Sequence, residues 1–179
     1  MKNIEVEVRA FIDESKHHQL VDFFEQHAQF LKEDSQVTHY FTGDHDLRIQ
    51  KNNFFSKIRM KKWQIHDDQR EEIEIKFDKE EFEKLEQLFL NLWYEIEITR
   101  FRNRLQFDRD GIDVSLDHTK WYGYILELEI MTTDLEKDEA LEVLKKKFSE
   151  LEIPITPKDE FTQKYEWYKA NRKTLISDD

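Results

Sequence analysis

Apolar and polar residues alternate with a period of two over much of this chain, and such alternation predicts β-strands. The predicted strands cover residues 3–12, two short runs within 36–50, then 55–63, 70–77, 95–107, 111–117 and 123–131. Turns are predicted at Gly43-Asp44, Asn52-Asn53 and Asp110-Gly111, and Asp-Gly between two alternating runs is typical of a tight hairpin. The hairpin-like spacing indicates an antiparallel sheet of eight strands.

Four other segments carry apolar residues at helical spacing. Asp13 or Ser15 begins a helix to about Leu31, with Phe30 on its apolar side, and further helices are predicted over 78–93, 134–151 and 157–172. The expected class is α+β, with amphipathic helices packed outside the sheet. We expect a single domain over 1–172 and a frayed tail over 173–179.

One residue parity of the predicted strands is almost wholly charged. It carries Glu5, Glu7, Arg9, Asp46, Arg48, Gln50, Lys57, Arg59, Lys61, Arg70, Glu72, Glu74, Lys76, Arg100, Arg102, Arg104, Asp113, Ser115, Asp117, Glu127 and Glu129. The other parity is apolar and must receive the helices. The charged face is therefore either one solvated side of an open sheet or the lining of a closed β-barrel, a tunnel.

Composition narrows the chemistry. The 179 residues include no cysteine, which excludes disulfides, zinc–thiolate sites and a cysteine nucleophile. Three glycines cannot form a P-loop or a GxGxxG turn, and a net charge of -12 disfavours nucleic acid as a partner. With no leader or spanning segment evident, we expect a cytoplasmic protein with no membrane partner.

The sorting of charge by strand suggests what the face binds. Packed carboxylates repel one another without a cation, and clustered guanidinium groups repel one another without an anion. A divalent metal bound to a polyphosphate satisfies both groups. Because no histidine has ligand spacing, the oxygen ligands favour Mg²⁺ or Mn²⁺.

The ordered motifs resemble those of the CYTH superfamily, the triphosphate tunnel metalloenzymes. The segment "IEVEVR" resembles the ExExK signature, "LRIQ" the LRxR strand, "REEIEI" the RxExE strand and "FRNRLQF" the KxRxxY strand. The segments "SKIRMKKW", "VSLDHTKWYGYILELEI" and "DEFTQKYEWY" resemble the lysine-bearing strand, the closing segment and the C-terminal helix. The resemblance runs from residue 4 to about residue 168 and implies an eight-stranded antiparallel closed β-barrel.

The resemblance also implies roles for single residues. Metal would be held by Glu5, Glu7, Asp117, Glu127 and Glu129; phosphate would be bound by Arg9, Arg48, Lys57, Arg59, Lys61, Arg102 and Arg104; and the catalytic set would be Glu5, Glu7, Glu72, Glu74 and Asp117. The chain departs from the family pattern at three places. Arg9 stands for a lysine, Gln50 for an arginine, and Lys164-Tyr165 for a Ser-Tyr pair.

We expect a metal-dependent phosphohydrolase acting on a small inorganic or organic triphosphate, such as tripolyphosphate, thiamine triphosphate or ATP. Two alternatives stay open. One is a class IV adenylate cyclase that makes cyclic AMP from ATP, and the other is a module that binds polyphosphate or nucleotide without turnover. A homodimer is a further state that the family includes.

Overall fold

The structure, a computed structural model, describes residues 4–61 and 69–177. The strands are β1 (Ile4–Ile12), β2 (Gln29–Phe41), β3 (Asp46–Lys51), β4 (Ser56–Lys61), β5 (Gln69–Phe77), β6 (Ile96–Arg109), β7 (Ile112–Thr119) and β8 (Gly123–Thr132). The helices are α1 (Glu14–His27), α2 (Phe82–Asn91), α3 (Lys137–Glu150) and α4 (Lys158–Ser177), with a 3₁₀ turn at Lys79–Glu81. The predicted α+β class, with eight antiparallel strands and four helices, is confirmed.

The strands follow one another in the order β1-β5-β4-β3-β2-β6-β7-β8, and every neighbouring pair is antiparallel. β1 pairs with β8 along its whole length, from Ile4 opposite Thr132 to Ile12 opposite Tyr124. Its pairing with β5 is short and runs from Ile4 to Val6. Among the described residues, each strand therefore has a paired neighbour on both sides.

The helices cover the apolar face in two places. α1 and α3 bury Phe24, Leu144 and Phe148 against the outer faces of β1, β7 and β8. α2 packs Phe82 and Phe89 over β2 and β3. Full burial of one such side chain contributes about 1.5–3 kcal/mol, so these contacts fix which face of the sheet turns outward. The charged parity is left on the opposite face.

The first helix ends earlier than its apolar spacing predicts. The Asp13 side chain accepts a hydrogen bond from the Lys16 backbone and begins α1, but Ala28 already has extended backbone angles. Phe30 therefore lies in β2 rather than in the helix, and its ring packs edge-on against Phe107 at 5.5 Å. The prediction of a helix to Leu31 is wrong because pairing of β2 with β6 starts at Gln29.

Helices do not cover the whole outer face. Ile73 and Ile75 point outward from β5 and are 43% and 52% exposed. Among the described residues, no helix covers these two positions of β5. α4 extends to Ser177, past the predicted end at Arg172. The loop at 62–68 and residues 178–179 of the predicted tail lie outside the described residues.

No helix within residues 4–61 and 69–177 combines the length and the apolar character that crossing a membrane requires.

The hairpin between β6 and β7 depends on backbone geometry alone. Asp110 and Gly111 have φ of 58° and 78°, as a two-residue hairpin turn requires. A Cβ at Gly111 would meet no heavy atom within 4 Å. We expect Gly111→Ala to lower the free energy of unfolding by about 1 kcal/mol through strain in φ. Chemical denaturation measures it, and a loss no larger than that of Asp134→Ala on the exposed surface would contradict this account.

Candidate active site

The charged face is assembled by the register of the strands. In the β1–β8 pair, Glu7 lies opposite Glu129 and Arg9 lies opposite Glu127. Because side chains alternate along a strand, all four residues share the face opposite to the one that α1, α2 and α3 cover. The same alternation on β4 places Arg59 on this face. Charges from distant parts of the chain therefore meet on one surface.

Three carboxylates form a cluster at β1 and β8. Oxygens of Glu5, Glu7 and Glu129 lie within 4.8 Å of one another, and Glu5 and Glu7 are buried. Burial, together with Glu127 and Glu7, raises the pKa of Glu129 to about 7, although Lys61 and Arg59 oppose the shift. Burial raises the pKa of Glu5 as well, and its acidic neighbours add to the rise. We name these three residues the acid cluster.

Two cations of β4 touch this acid cluster. The Lys61 ammonium donates to one oxygen of Glu5, and Nη2 of Arg59 lies 3.2 Å from the other. Lys61 Nζ also lies 3.5 Å from Glu7 Oε2. Glu72, on β5, holds Arg59 at 2.7 Å. Both cations therefore reach the acid cluster from the β5 side of β1, whereas Glu129 reaches it from the β8 side.

A cavity opens beside the acid cluster. Its charged lining consists of Arg9, Arg48, Arg59, Lys61, Arg100, Arg102 and Arg104 with Glu7, Asp117 and Glu127; Tyr40, Tyr122, Tyr165 and Ile125 complete the wall. Seven cations thus face three carboxylates in a chain whose net charge is -12. Positive charge predominates in this lining, although Arg48 is paired with Asp46, and Arg59 and Lys61 are paired with Glu5. Such a lining fits a polyanion. We name this space the cationic cavity.

Asp117 holds two of these cations. It accepts from Nη1 of Arg102 at 2.9 Å, and from Nε and Nη2 of Arg104 at 2.7 and 2.8 Å. Burial opposes ionisation of Asp117, but the two guanidinium groups lower its pKa to about 2. Glu127 lies 3.0 Å from Arg104 Nη2. The structure therefore places Asp117 and Glu127 against arginines, apart from the acid cluster, and their metal role stays a prediction.

Some buried guanidinium nitrogens have no hydrogen-bond partner among the described residues. They include Nε of Arg48 and Nε of Arg100. Both guanidinium groups also lie over the ring of Tyr40, at 4.8 and 5.4 Å from its centre. A buried donor left unpaired costs about 1–3 kcal/mol, so these nitrogens are placed for an acceptor that residues 4–61 and 69–177 do not supply.

Three residues with predicted site roles lie outside both the acid cluster and the lining of the cationic cavity: Lys57, Glu72 and Glu74. Lys57 lies 2.6 Å from Glu74, and burial lowers the pKa of Lys57 to about 8. Glu72 reaches Arg59 and Lys61 rather than the cavity. Gln50 donates to Gln36 at 2.7 Å. The side chain that replaces the family arginine is therefore held by an amide network.

Sequence reasoning overlooked part of the cavity wall. Arg100 lies on the charged parity without a predicted role, Tyr40 and Tyr122 have none either, and Tyr165 is predicted only as part of the pair that stands for Ser-Tyr. Gln36 holds a residue of the wall, since its oxygen accepts from Arg102, and the alternation along 36–40 is a signal for it. No local pattern marks Tyr122, which lies in the turn between β7 and β8 and donates from its hydroxyl to the Phe161 carbonyl of α4.

The acid cluster fits a hard divalent cation. Its donors are carboxylate oxygens close enough to share one ion, and burial raises the pKa of both Glu5 and Glu129. Oxygen-only sets are preferred by Mg²⁺ and Mn²⁺. Glu5, Glu7 and Glu129 are therefore the residues that would hold such an ion.

No family model matches the chain, but one protein sequence and several solved structures are similar to it. The protein named "Putative adenylate cyclase MJ0240", from Methanocaldococcus jannaschii, is 33% identical over 151 residues, which cover 78% of this chain and 84% of the relative. A conserved hypothetical protein from Pyrococcus furiosus has a similar structure, with a TM-score of 0.76 at 19% identity over 86% of this chain and 95% of that one.

A second similar structure is that of "Putative adenylyl cyclase HpAC1" from Hippeastrum, for which a dominant triphosphatase activity is stated. Its TM-score is 0.59 at 19% identity over 86% of this chain and 89% of that one. The two structural likenesses concern the fold alone, whereas the identity to the archaeal relative concerns ancestry. The ordered strand motifs, the fold and this sequence identity lead to the same conclusion: the chain belongs to the CYTH superfamily.

Proposed function

We propose that this protein is a metal-dependent phosphohydrolase that cleaves an inorganic or organic triphosphate enclosed by its sheet in a tunnel. The observation that carries the proposal is the adjacency of two opposite environments. The acid cluster and the cationic cavity share Glu7, which belongs to the first and lines the second. A metal-bound polyphosphate is a ligand that matches both at once.

The acid cluster would hold Mg²⁺ or Mn²⁺ through Glu5, Glu7 and Glu129. When bound, the ion would neutralise phosphate oxygens and polarise the phosphorus they surround. The chain's own residues prepare the site for it. Glu129 is half-buried beside two other carboxylates, so its ionisation is costly until a divalent cation is bound.

The cationic cavity would bind the phosphate chain. Arg48 and Arg100 offer unpaired Nε donors, and Arg9 lies over the ring of Phe161 at 4.7 Å, which fixes its guanidinium plane. Asp117 positions both arginines: it accepts two hydrogen bonds from Arg104, one on each oxygen, and one from Arg102. Preorganised cations of this kind stabilise charge on the departing phosphate without rearranging during the reaction.

Hydrolysis at this site needs no covalent enzyme intermediate. A water oxygen would bond to the terminal phosphorus, and the bond between that phosphorus and the bridging oxygen would break. Diphosphate or an organic diphosphate would then leave with the bonding electron pair. The arginines would neutralise the charge that develops on this leaving group. The chain has no cysteine that could act as a nucleophile, which is consistent with direct attack.

Adenylate cyclase activity is the second candidate, and the name of the archaeal relative supports it. The same groups would bind ATP, but the ribose 3′-hydroxyl would attack the α-phosphorus and release diphosphate. The aromatic end of the cavity, with Tyr40, Tyr122 and Tyr165, is where an organic group would lie.

A substrate panel separates the candidates. The protein is incubated with tripolyphosphate, thiamine triphosphate or ATP, each with Mg²⁺, with Mn²⁺ or with a chelator, and both orthophosphate and cyclic AMP are measured. Hydrolysis predicts metal-dependent orthophosphate and no cyclic AMP. Cyclic AMP from ATP as the main product would replace our proposal with the cyclase, and binding of tripolyphosphate without any product would replace it with a binding module.

Removal of one cavity cation tests phosphate binding directly. Arg48→Met is expected to weaken binding of tripolyphosphate about 10- to 100-fold, because hydrogen bonds to charged groups contribute about 1.5–3 kcal/mol. Calorimetry with a triphosphate whose bridging oxygens are methylene groups measures this without turnover. Arg109→Met is the control, since Arg109 lies over Phe23 outside the cationic cavity. Equal affinities for the two variants would remove Arg48 from the binding set.

A further inference from the structure

We infer that Lys61 is a built-in counter-cation of the acid cluster, which a divalent ion must displace and which then turns to the phosphate chain. Displacement of Lys61 by a divalent ion concerns metal binding alone. Only the turn of Lys61 to the phosphate chain rests on the proposed function. Lys61 would thereby make metal binding and polyphosphate binding mutually dependent.

The contacts of Lys61 set it apart from the other cations. Its ammonium donates to Glu5, and it lies 3.5 Å from oxygens of both Glu7 and Glu72. Two of these three carboxylates belong to the acid cluster. The side chain is 3% exposed, so water screens these attractions weakly. The ammonium therefore supplies positive charge to two members of the cluster.

Arg59 does not fill this role, although it also touches Glu5. Its Nη2 lies closer to Glu72, at 2.7 Å, than to Glu5, at 3.2 Å, and it contacts one member of the acid cluster. A planar guanidinium paired in this way is held in one orientation, whereas a lysine ammonium is a point charge on a flexible stem. Lys61 is thus the cation that is able to leave while Arg59 stays.

The position of Lys61 also gives it a second partner. It lines the cationic cavity as well as touching the acid cluster, so a small change of its side-chain angles would bring the ammonium to a phosphate oxygen. A metal in the cluster would expel the like-charged ammonium, and a polyphosphate in the cavity would attract it. Each ligand would then favour the other, as linkage requires.

The test is the affinity for Mn²⁺ alone, measured by calorimetry without any phosphate. Lys61→Met removes the charge and keeps the apolar stem, and we expect it to bind Mn²⁺ at least tenfold more tightly than the wild type, because a competing charge at close range is gone. Lys51→Met is the matched control, since Lys51 lies on the neighbouring strand β3 and pairs with Glu83 instead. Lys61→Gln provides a second neutral variant if the methionine does not fold.

The second measurement repeats the titration with the methylene-bridged triphosphate present. The wild type is expected to bind Mn²⁺ more tightly in its presence, and this enhancement should shrink in Lys61→Met. Unchanged or weaker Mn²⁺ binding in both neutral variants would overturn the inference, as would a wild type that binds no Mn²⁺. Failure of the hydrolase proposal is separate: it appears as absent turnover in the wild type, whatever the Mn²⁺ affinities are.

Discussion

Glu129→Gln is expected to lower kcat/KM for triphosphate hydrolysis by roughly 100- to 1,000-fold. A bound ion contributes several kcal/mol of charge stabilisation in the transition state, and each 1.4 kcal/mol is about tenfold in rate. Glu129 is one of three carboxylates within 4.8 Å of one another, so the amide removes a ligand without changing the shape of the site. The rate is measured as orthophosphate released at several Mn²⁺ concentrations.

The same substitution is expected to stabilise the metal-free protein at pH 8. The pKa of Glu129 is raised to about 7 in the fold, above the ordinary value of 4.5 that the unfolded chain has. Its carboxyl group therefore favours the fold while it is protonated, and this contribution is lost as the pH rises through 7. A glutamine does not ionise, so the variant should gain about 1–3 kcal/mol at pH 8 in chelator and nothing below pH 4.5.

These opposite signs separate a lost ligand from a damaged fold. Glu33→Gln is the control, because Glu33 lies exposed on β2, away from the acid cluster. It should keep the rate and the stability of the wild type. A Glu129→Gln enzyme with full activity and an unchanged dependence on Mn²⁺ would contradict the assignment of the acid cluster.

The strand pattern was predictable because it depends on the period of the sequence alone. Alternation around Glu5 and Glu7 specifies which face they share, and Asp110-Gly111 specifies a hairpin whatever surrounds it. The end of α1 was not predictable in this way. Phe30 has the spacing of a helical residue, but pairing with a strand more than seventy positions away, at Phe107, decides its conformation.

The division of the acids between the two environments also lies beyond local pattern. Glu127 and Glu129 are two residues apart on the same face, yet Glu129 belongs to the acid cluster and Glu127 pairs with Arg104. Strand register makes this difference, since Glu129 lies opposite Glu7 and Glu127 opposite Arg9. Parity gives the face of a residue, whereas register around the sheet gives its neighbours.

Asp117→Asn is expected to lower the free energy of unfolding by about 3–5 kcal/mol, the usual cost of removing one partner of a buried ion pair. Asp117 is 1% exposed and holds Arg102 and Arg104 through three hydrogen bonds of 2.7–2.9 Å. Burial and the neighbouring Arg104 already lower the pKa of Arg102 to about 9, so the loss of its carboxylate leaves a strained pair of like charges. At about 2–4 °C per kcal/mol for a chain of this size, Tm should fall by roughly 10 °C.

An anion should restore part of this loss if the two arginines face a phosphate site. We expect the methylene-bridged triphosphate to raise the Tm of Asp117→Asn by more than it raises that of the wild type, because it replaces the missing negative charge as well as binding. Asp134→Asn is the control: Asp134 pairs with Lys137 at 2.8 Å but is 76% exposed, and such surface pairs contribute about 0–1 kcal/mol. If Asp117→Asn is no less stable than Asp134→Asn, then Asp117 does not hold the arginines. If its instability is real but insensitive to the triphosphate, then Arg102 and Arg104 form a structural pair that does not contact substrate.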